Sequence, residues 1–229
     1  YKFLYRFLFA SAVLIAFSCE NDDIPGAEPE EPEVPFSAGA ANLTNYVALG
    51  NSLTAGFTDG ALFVAAQQNS MANLLGERFT LAGGVEFTQP LMNDNVGGLL
   101  LGGVQIQGPR LYLDGAGPAP IDGTPTTEVS NILTGPFNNL GVPGAKSFHL
   151  LANGYGNIAG VPTGQANPYF VRMASNPNAS VIEDAVSQDP SFFTLWIGNN
   201  DVLSFATSGG SGVNQTGNPD PSTYGSNDI

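Results

Sequence analysis

The sequence predicts an α/β fold on a mostly parallel sheet, and three observations predict it. Apolar runs at residues 46–49 and 192–197 and a strand end at residues 138–142 each lead into a turn with glycine: Gly50, Gly198 and Gly144. Helix-compatible stretches lie between these runs, as the crossovers of a parallel sheet require. The turns after parallel strands gather at one sheet edge, where ligands bind.

Before the first strand the chain carries no core. Lys2 and Arg6 sit among aromatics, an apolar run extends from Phe7 to Phe17, and Ser18 and Cys19 follow. This is the n-region and h-region of a secretory signal, too short for a membrane span. A cysteine after a small residue at the end of such a run resembles the lipobox of bacterial lipoproteins, although Ala16 and Phe17 depart from its usual residues. The resemblance implies that Cys19 is acylated and anchors the chain to a membrane; the competing reading is an uncleaved anchor with an incidental cysteine.

Residues 20–41 alternate acidic side chains with Pro25, Pro29, Pro32 and Pro35. They offer little to bury and form an extended acidic tether. Acidic residues directly after the cysteine resemble the surface-export signals of Bacteroidetes lipoproteins. The folded domain is expected over residues 42–229.

Composition narrows the function. The 229 residues include 20 acidic against 6 basic side chains, for a net charge of −14. Such a field repels phosphate backbones and argues against a nucleic-acid partner. A single cysteine excludes an internal disulfide and a multi-cysteine zinc site. No metal or other cofactor is implied.

Within the domain, residues 46–49 read as a buried strand and residues 62–75 as a helix, with Leu62, Ala65, Ala66, Met71, Leu74 and Leu75 on one face. Gly76 is expected to end it, and Gln67, Gln68, Asn69 and Asn73 to be its wet side. Residues 81–137, with paired glycines and many prolines, read as a looped insertion with one hairpin, expected to cover or border the site. Residues 146–153 and 180–187 are read as helices. Residues 192–197, built of aromatic and branched side chains, read as a central strand.

The candidate chemistry lies in the three turns. Gly50-Asn51-Ser52 places a serine between a strand end and a helix start, the way a nucleophile is presented. An ordinary turn uses the same residue types. Gly144 offers backbone that a substrate oxygen can approach. Gly198-Asn199-Asn200-Asp201 closes the third strand, although Asn and Asp there also serve as helix caps. His149, the only histidine, lies in an apolar stretch with no carboxylate near it in sequence, and is not assigned as a base.

Read together, these blocks resemble the SGNH, or GDSL, hydrolase superfamily. Its nucleophile block is matched by Gly50, Asn51 (in place of the usual Asp), Ser52 and Leu53. Its glycine block is best matched by Gly144, and its Gly-x-Asn-Asp block by Gly198 to Asp201.

The resemblance implies a three-layer α/β/α, flavodoxin-like fold, incomplete at the C-terminus, and an ester hydrolase with Ser52 as nucleophile. Its oxyanion hole would comprise the backbone N–H groups of Ser52 and Gly144 and the side-chain amide of Asn200, supported by Gly50, Asn51, Gly198 and Asp201. The partners implied are a small-molecule, lipid or glycan ester and a bacterial envelope membrane reached through Cys19. The superfamily's Asp-x-x-His block, which supplies base and orienting carboxylate, has no match here. A fragment lacking that block is the preferred expectation, and a non-catalytic binding lipoprotein of the same fold the alternative.

Overall fold

The central strand of the sheet is β1, Tyr46–Gly50, with all five residues buried. A computed structural model describes residues 36–229; the signal, lipobox and acidic-tether readings, Cys19 included, fall largely or wholly outside the described residues. Strand β1 pairs in parallel on both sides, and its side-chain alternation sends residues to opposite faces. Val47 and Leu49 pack with Leu140, Val142, Phe170 and Val181 on one face. Tyr46 and Ala48 pack with Ala72, Phe79 and Phe87 on the other. Burying each large apolar side chain contributes about 1.5–3 kcal/mol. The sheet therefore carries cores on both faces.

The chain leaves β1 through the short helix α1, Ser52–Ala55, and returns as two helices, α2, Val64–Gln68, and α3, Met71–Thr80. The single helix expected over residues 62–75 is thus broken. Ser70 restarts it, its hydroxyl accepting the N–H of Asn73 at 3.2 Å.

Gly76 does not end a helix. It lies buried inside α3, where a Cβ would stand 2.5 Å from the Phe87 side chain. Gln67 and Asn73, expected to be wet, are buried at 2% and 8% exposure. Gln67 gives its amide N–H to Pro90 O at 3.0 Å and accepts Met92 N–H at 2.7 Å, tying α2 to the insertion.

The insertion holds two hairpins, not one. Strands β2, Leu99–Leu101, and β3, Val104–Gln107, pair antiparallel, as do β4, Leu111–Leu113, and β5, Pro118–Pro120. The first turn is held by Glu128, whose carboxylate accepts the N–H groups of Gly102 and Gly103 at 3.0 and 2.9 Å. Those bonds, Gly103 foremost, hold its carboxyl below the usual range. The hairpins pack against the loop after α1, with Leu111 N–H donating to Asp59 O at 2.7 Å.

Strand β6, Asn139–Gly141, is buried throughout. Residues 146–153 form a 3₁₀ turn, Phe148–Leu151, in place of the expected α-helix. Helix α4, Pro168–Val171, starts on an Asn167 cap with proline in its first turn. Helix α5, Val181–Val186, starts on a reciprocal capping box between Ser180 and Glu183.

Strand β7, Phe192–Trp196, pairs with β1 along its whole length, and α6, Asn199–Thr207, follows it. The sheet order is β6-β1-β7, so β7 lies at an edge and β1 holds the central place expected of it. Phe193 and Leu195 are 60% and 54% exposed. Among the described residues no helix is long and apolar enough to cross a membrane.

Candidate active site

The register of the sheet brings three turns together. Gly50 pairs with Gly141 of β6 and with Trp196 of β7, so all three strands end in one row. The segments holding Ser52, Gly144 and Asn200 leave from that row.

Each segment is tied to the next. Asn51 donates its backbone N–H to Trp196 O at 3.2 Å, and its side-chain amide contacts Asn199 Oδ1 at 3.3 Å. Asn51 Oδ1 also caps α1, accepting Leu53 N–H at 3.1 Å. The asparagine that departs from the resembled pattern thus shapes the turn from both ends of its amide, at 1% exposure. Val142 N–H reaches Gly50 O at 2.9 Å. Asn200 donates to Ala145 O at 2.8 Å, linking the third segment to the second.

Glycine is required by close approach at Gly50, where a Cβ would stand 2.2 Å from Thr54 Oγ1 and 2.4 Å from Trp196 O. At Gly198 the requirement is conformational, since its φ of +100° strains any other residue.

Asp201 is buried and clamps the second turn. Its carboxylate accepts Ser147 N–H at 3.1 and 3.0 Å and the Ser147 hydroxyl at 2.5 Å. The neighbouring Lys146 is also buried. Its ammonium donates to Ser226 O at 2.8 Å and Asp228 O at 2.7 Å, fixing the last segment of the chain to this turn. Burial lowers the Lys146 pKa, and the charges of Asp201 and Asp228 oppose that shift. Neither this clamp nor the Asn51–Asn199 contact was read from the sequence. Serine and lysine beside a glycine turn carry no signal for them.

Ser52 is half-buried, Gly144 exposed and Asn200 half-buried. Among the described residues the backbone N–H groups of Ser52 and Gly144 donate to no protein acceptor. Asn200 commits one amide hydrogen to Ala145 O and keeps the other. The three linked turns therefore carry three N–H groups without a protein acceptor among the described residues.

His149 has a structural place. Its Nδ1 accepts Lys146 N–H at 2.9 Å, and its ring stacks on Tyr155 with centroids 4.7 Å apart. Burial, with a smaller contribution from the Lys146 charge, pushes its pKa down to about 4. No hydrogen bond joins it to a carboxylate among the described residues. No cluster of three metal-ligating side chains occurs among them either.

Comparison with family models, with curated proteins and with solved structures returns no match for this chain.

Proposed function

We propose that this chain carries the nucleophile and oxyanion hole of a serine ester hydrolase of the SGNH type, on a three-layer α/β/α, flavodoxin-like fold. The observation that carries the reading is the convergence of the Ser52, Gly144 and Asn200 turns on one row of strand ends. Ser52 Oγ attacks the ester carbonyl carbon, and the carbonyl electron pair moves onto oxygen. The N–H groups of Ser52 and Gly144 and the amide of Asn200 receive that oxyanion. The alkoxide leaves with a proton, and water releases the acyl group from Ser52.

The reaction needs a base to take the Ser52 proton, and His149 is committed elsewhere. We place the base and its orienting carboxylate on polypeptide beyond the described residues, packed on β7. A mostly apolar parallel strand takes cover on both faces, and Phe193 and Leu195 are open. The chain alone turns over esters at or near background. Anchoring through Cys19 in a bacterial envelope, with a lipid, glycan or small-molecule ester as substrate, completes the reading.

A second reading, a binding lipoprotein that holds an ester or acyl group without cleaving it, is favoured by the absence of a base beside Ser52 among the described residues. Hydrolysis of a chromogenic short-chain ester by the protein carrying an Asp-x-x-His block decides between them. Turnover that vanishes in Ser52→Ala supports the hydrolase, and none in either protein supports binding.

A further inference from the structure

Two polar side-chain atoms in the described fold are buried without a partner, Tyr169 Oη and Arg172 Nε. Both residues line one cavity of about 10 Å³, together with Ala55, Gln67 and Asn139. Tyr169 is 7% exposed and Arg172 2% exposed. The two ends of the guanidinium are engaged elsewhere: Nη2 donates to Leu91 O at 2.8 Å and Nη1 lies 3.3 Å from Met92 Sδ. Only Nε is left over. Leaving buried donors dry is costly, so such groups find a partner or an ordered water.

The cavity has the size of a water site, and polar side chains interrupt its apolar lining. One water needs roughly 10–15 Å³ of free space and two to four polar partners. Besides the residues of the two orphaned atoms, the lining includes Gln67 and Asn139, whose amide oxygens have capacity to spare. Gln67 Oε1 accepts only Met92 N–H, and Asn139 Oδ1 only Gly141 N–H, so each keeps a lone pair. Gln67 Nε2 gives one hydrogen to Pro90 O and keeps the other, while Asn139 Nδ2 commits both, to Thr54 O and Gln89 Oε1. A set of donors and acceptors suits a water; a monatomic anion would meet the lone pairs of two carbonyl oxygens in a space too small for it.

We propose that this cavity is the binding site of a single buried water that accepts the Arg172 Nε–H and bonds the Tyr169 hydroxyl. The water ties α4 and the residue that follows it to α1 and β6, the two elements that lead out of and into the row of strand ends. The inference stands apart from the catalytic reading, since no lining residue belongs to the proposed oxyanion hole.

Tyr169→Phe in the full chain separates a wet cavity from a dry one by sign. With the water present, the variant strips it of a partner and lowers Tm by roughly 2–4 °C. In a dry cavity the same change removes an unsatisfied hydroxyl, and Tm rises. A high-resolution crystal structure of the unaltered protein reads the site directly. One density peak within hydrogen-bond distance of Tyr169 Oη and Arg172 Nε is expected, with no anomalous signal there in bromide-soaked crystals. An empty cavity, a bromide peak or a rise in Tm would overturn the proposal.

Discussion

Gly50 and Asn200 show how little freedom the turn residues have. A methyl group at Gly50 would overlap both Thr54 Oγ1 and Trp196 O, one of them backbone that cannot yield without parting β1 from β7. Gly50→Ala is expected to destabilise the fold by about 1–3 kcal/mol, as overpacking at a rigid site does; urea unfolding measures it, and an unchanged midpoint would contradict the register. Asn200→Ala tests the oxyanion role. In the catalytically competent protein it should lower kcat by roughly 100- to 1,000-fold with a small change in KM, as loss of one oxyanion donor does. A purely structural Asn200, bonded to Ala145 O, would instead lower the stability and leave kcat per folded molecule unchanged.

His149 is the residue whose behaviour with pH is most specific. Its pKa in the fold is about 4, against an ordinary 6.5. The unfolded chain therefore takes up a proton between those values while the folded chain does not, and stability falls as pH drops from about 6.5 to about 4. The term is on the order of 3 kcal/mol when fully developed. Lys146 and Asp201 act on the ring with opposite signs, Lys146 more strongly. His149→Asn, whose side-chain oxygen can still accept the Lys146 N–H, removes the titration. The stability difference between the two proteins should shift in favour of the variant as pH falls through that window, by denaturant unfolding at each pH. A constant difference would contradict the burial of the imidazole.

Among the elements, the strands were the legible part. Residues 46–49 and 192–197 are apolar runs that stop at glycine, and the backbone must turn there whatever the rest of the chain does. The Ser180–Glu183 capping box marks α5 just as locally. What could not be read depends on contacts distant in sequence. Gln67 is buried because Pro90 O and Met92 N–H satisfy its amide, partners supplied by a loop with no periodicity. Gly76 sits in α3 because Phe87 needs the space of a missing Cβ. The edge position of β7 was hidden for a different reason: apolar composition reports that a strand suits burial, not what lies on either side of it.

The second and third turns act as one element through Asp201. Asp201→Asn keeps the shape but loses the charge that favours the Ser147 N–H and hydroxyl bonds, worth about 1.5–3 kcal/mol for bonds to a charged group. It is expected to lower Tm and to speed amide hydrogen exchange at Ser147. Unchanged exchange there would show that the turn holds without the clamp.

At the scale of the molecule, β7 and α6 each leave large apolar side chains exposed. Val202 and Leu203 are 72% and 61% exposed and lie just beyond Trp196, itself 41% exposed. Open apolar strand edges bind apolar dyes and one another. The chain should enhance the fluorescence of an apolar dye such as ANS, and Leu195→Lys should reduce it; equal enhancement in both would place the dye elsewhere. The same surface is where the proposal seats the polypeptide that brings histidine and aspartate to Ser52, so dye binding should also disappear in the protein that carries that block.

The most direct test of the account is the rate of ester hydrolysis by the protein carrying the Asp-x-x-His block, compared with its Ser52→Ala variant. With Ser52 as nucleophile, kcat should fall by at least roughly 1,000-fold while the fold and Tm stay the same. Equal turnover by the two proteins would contradict the assignment of Ser52.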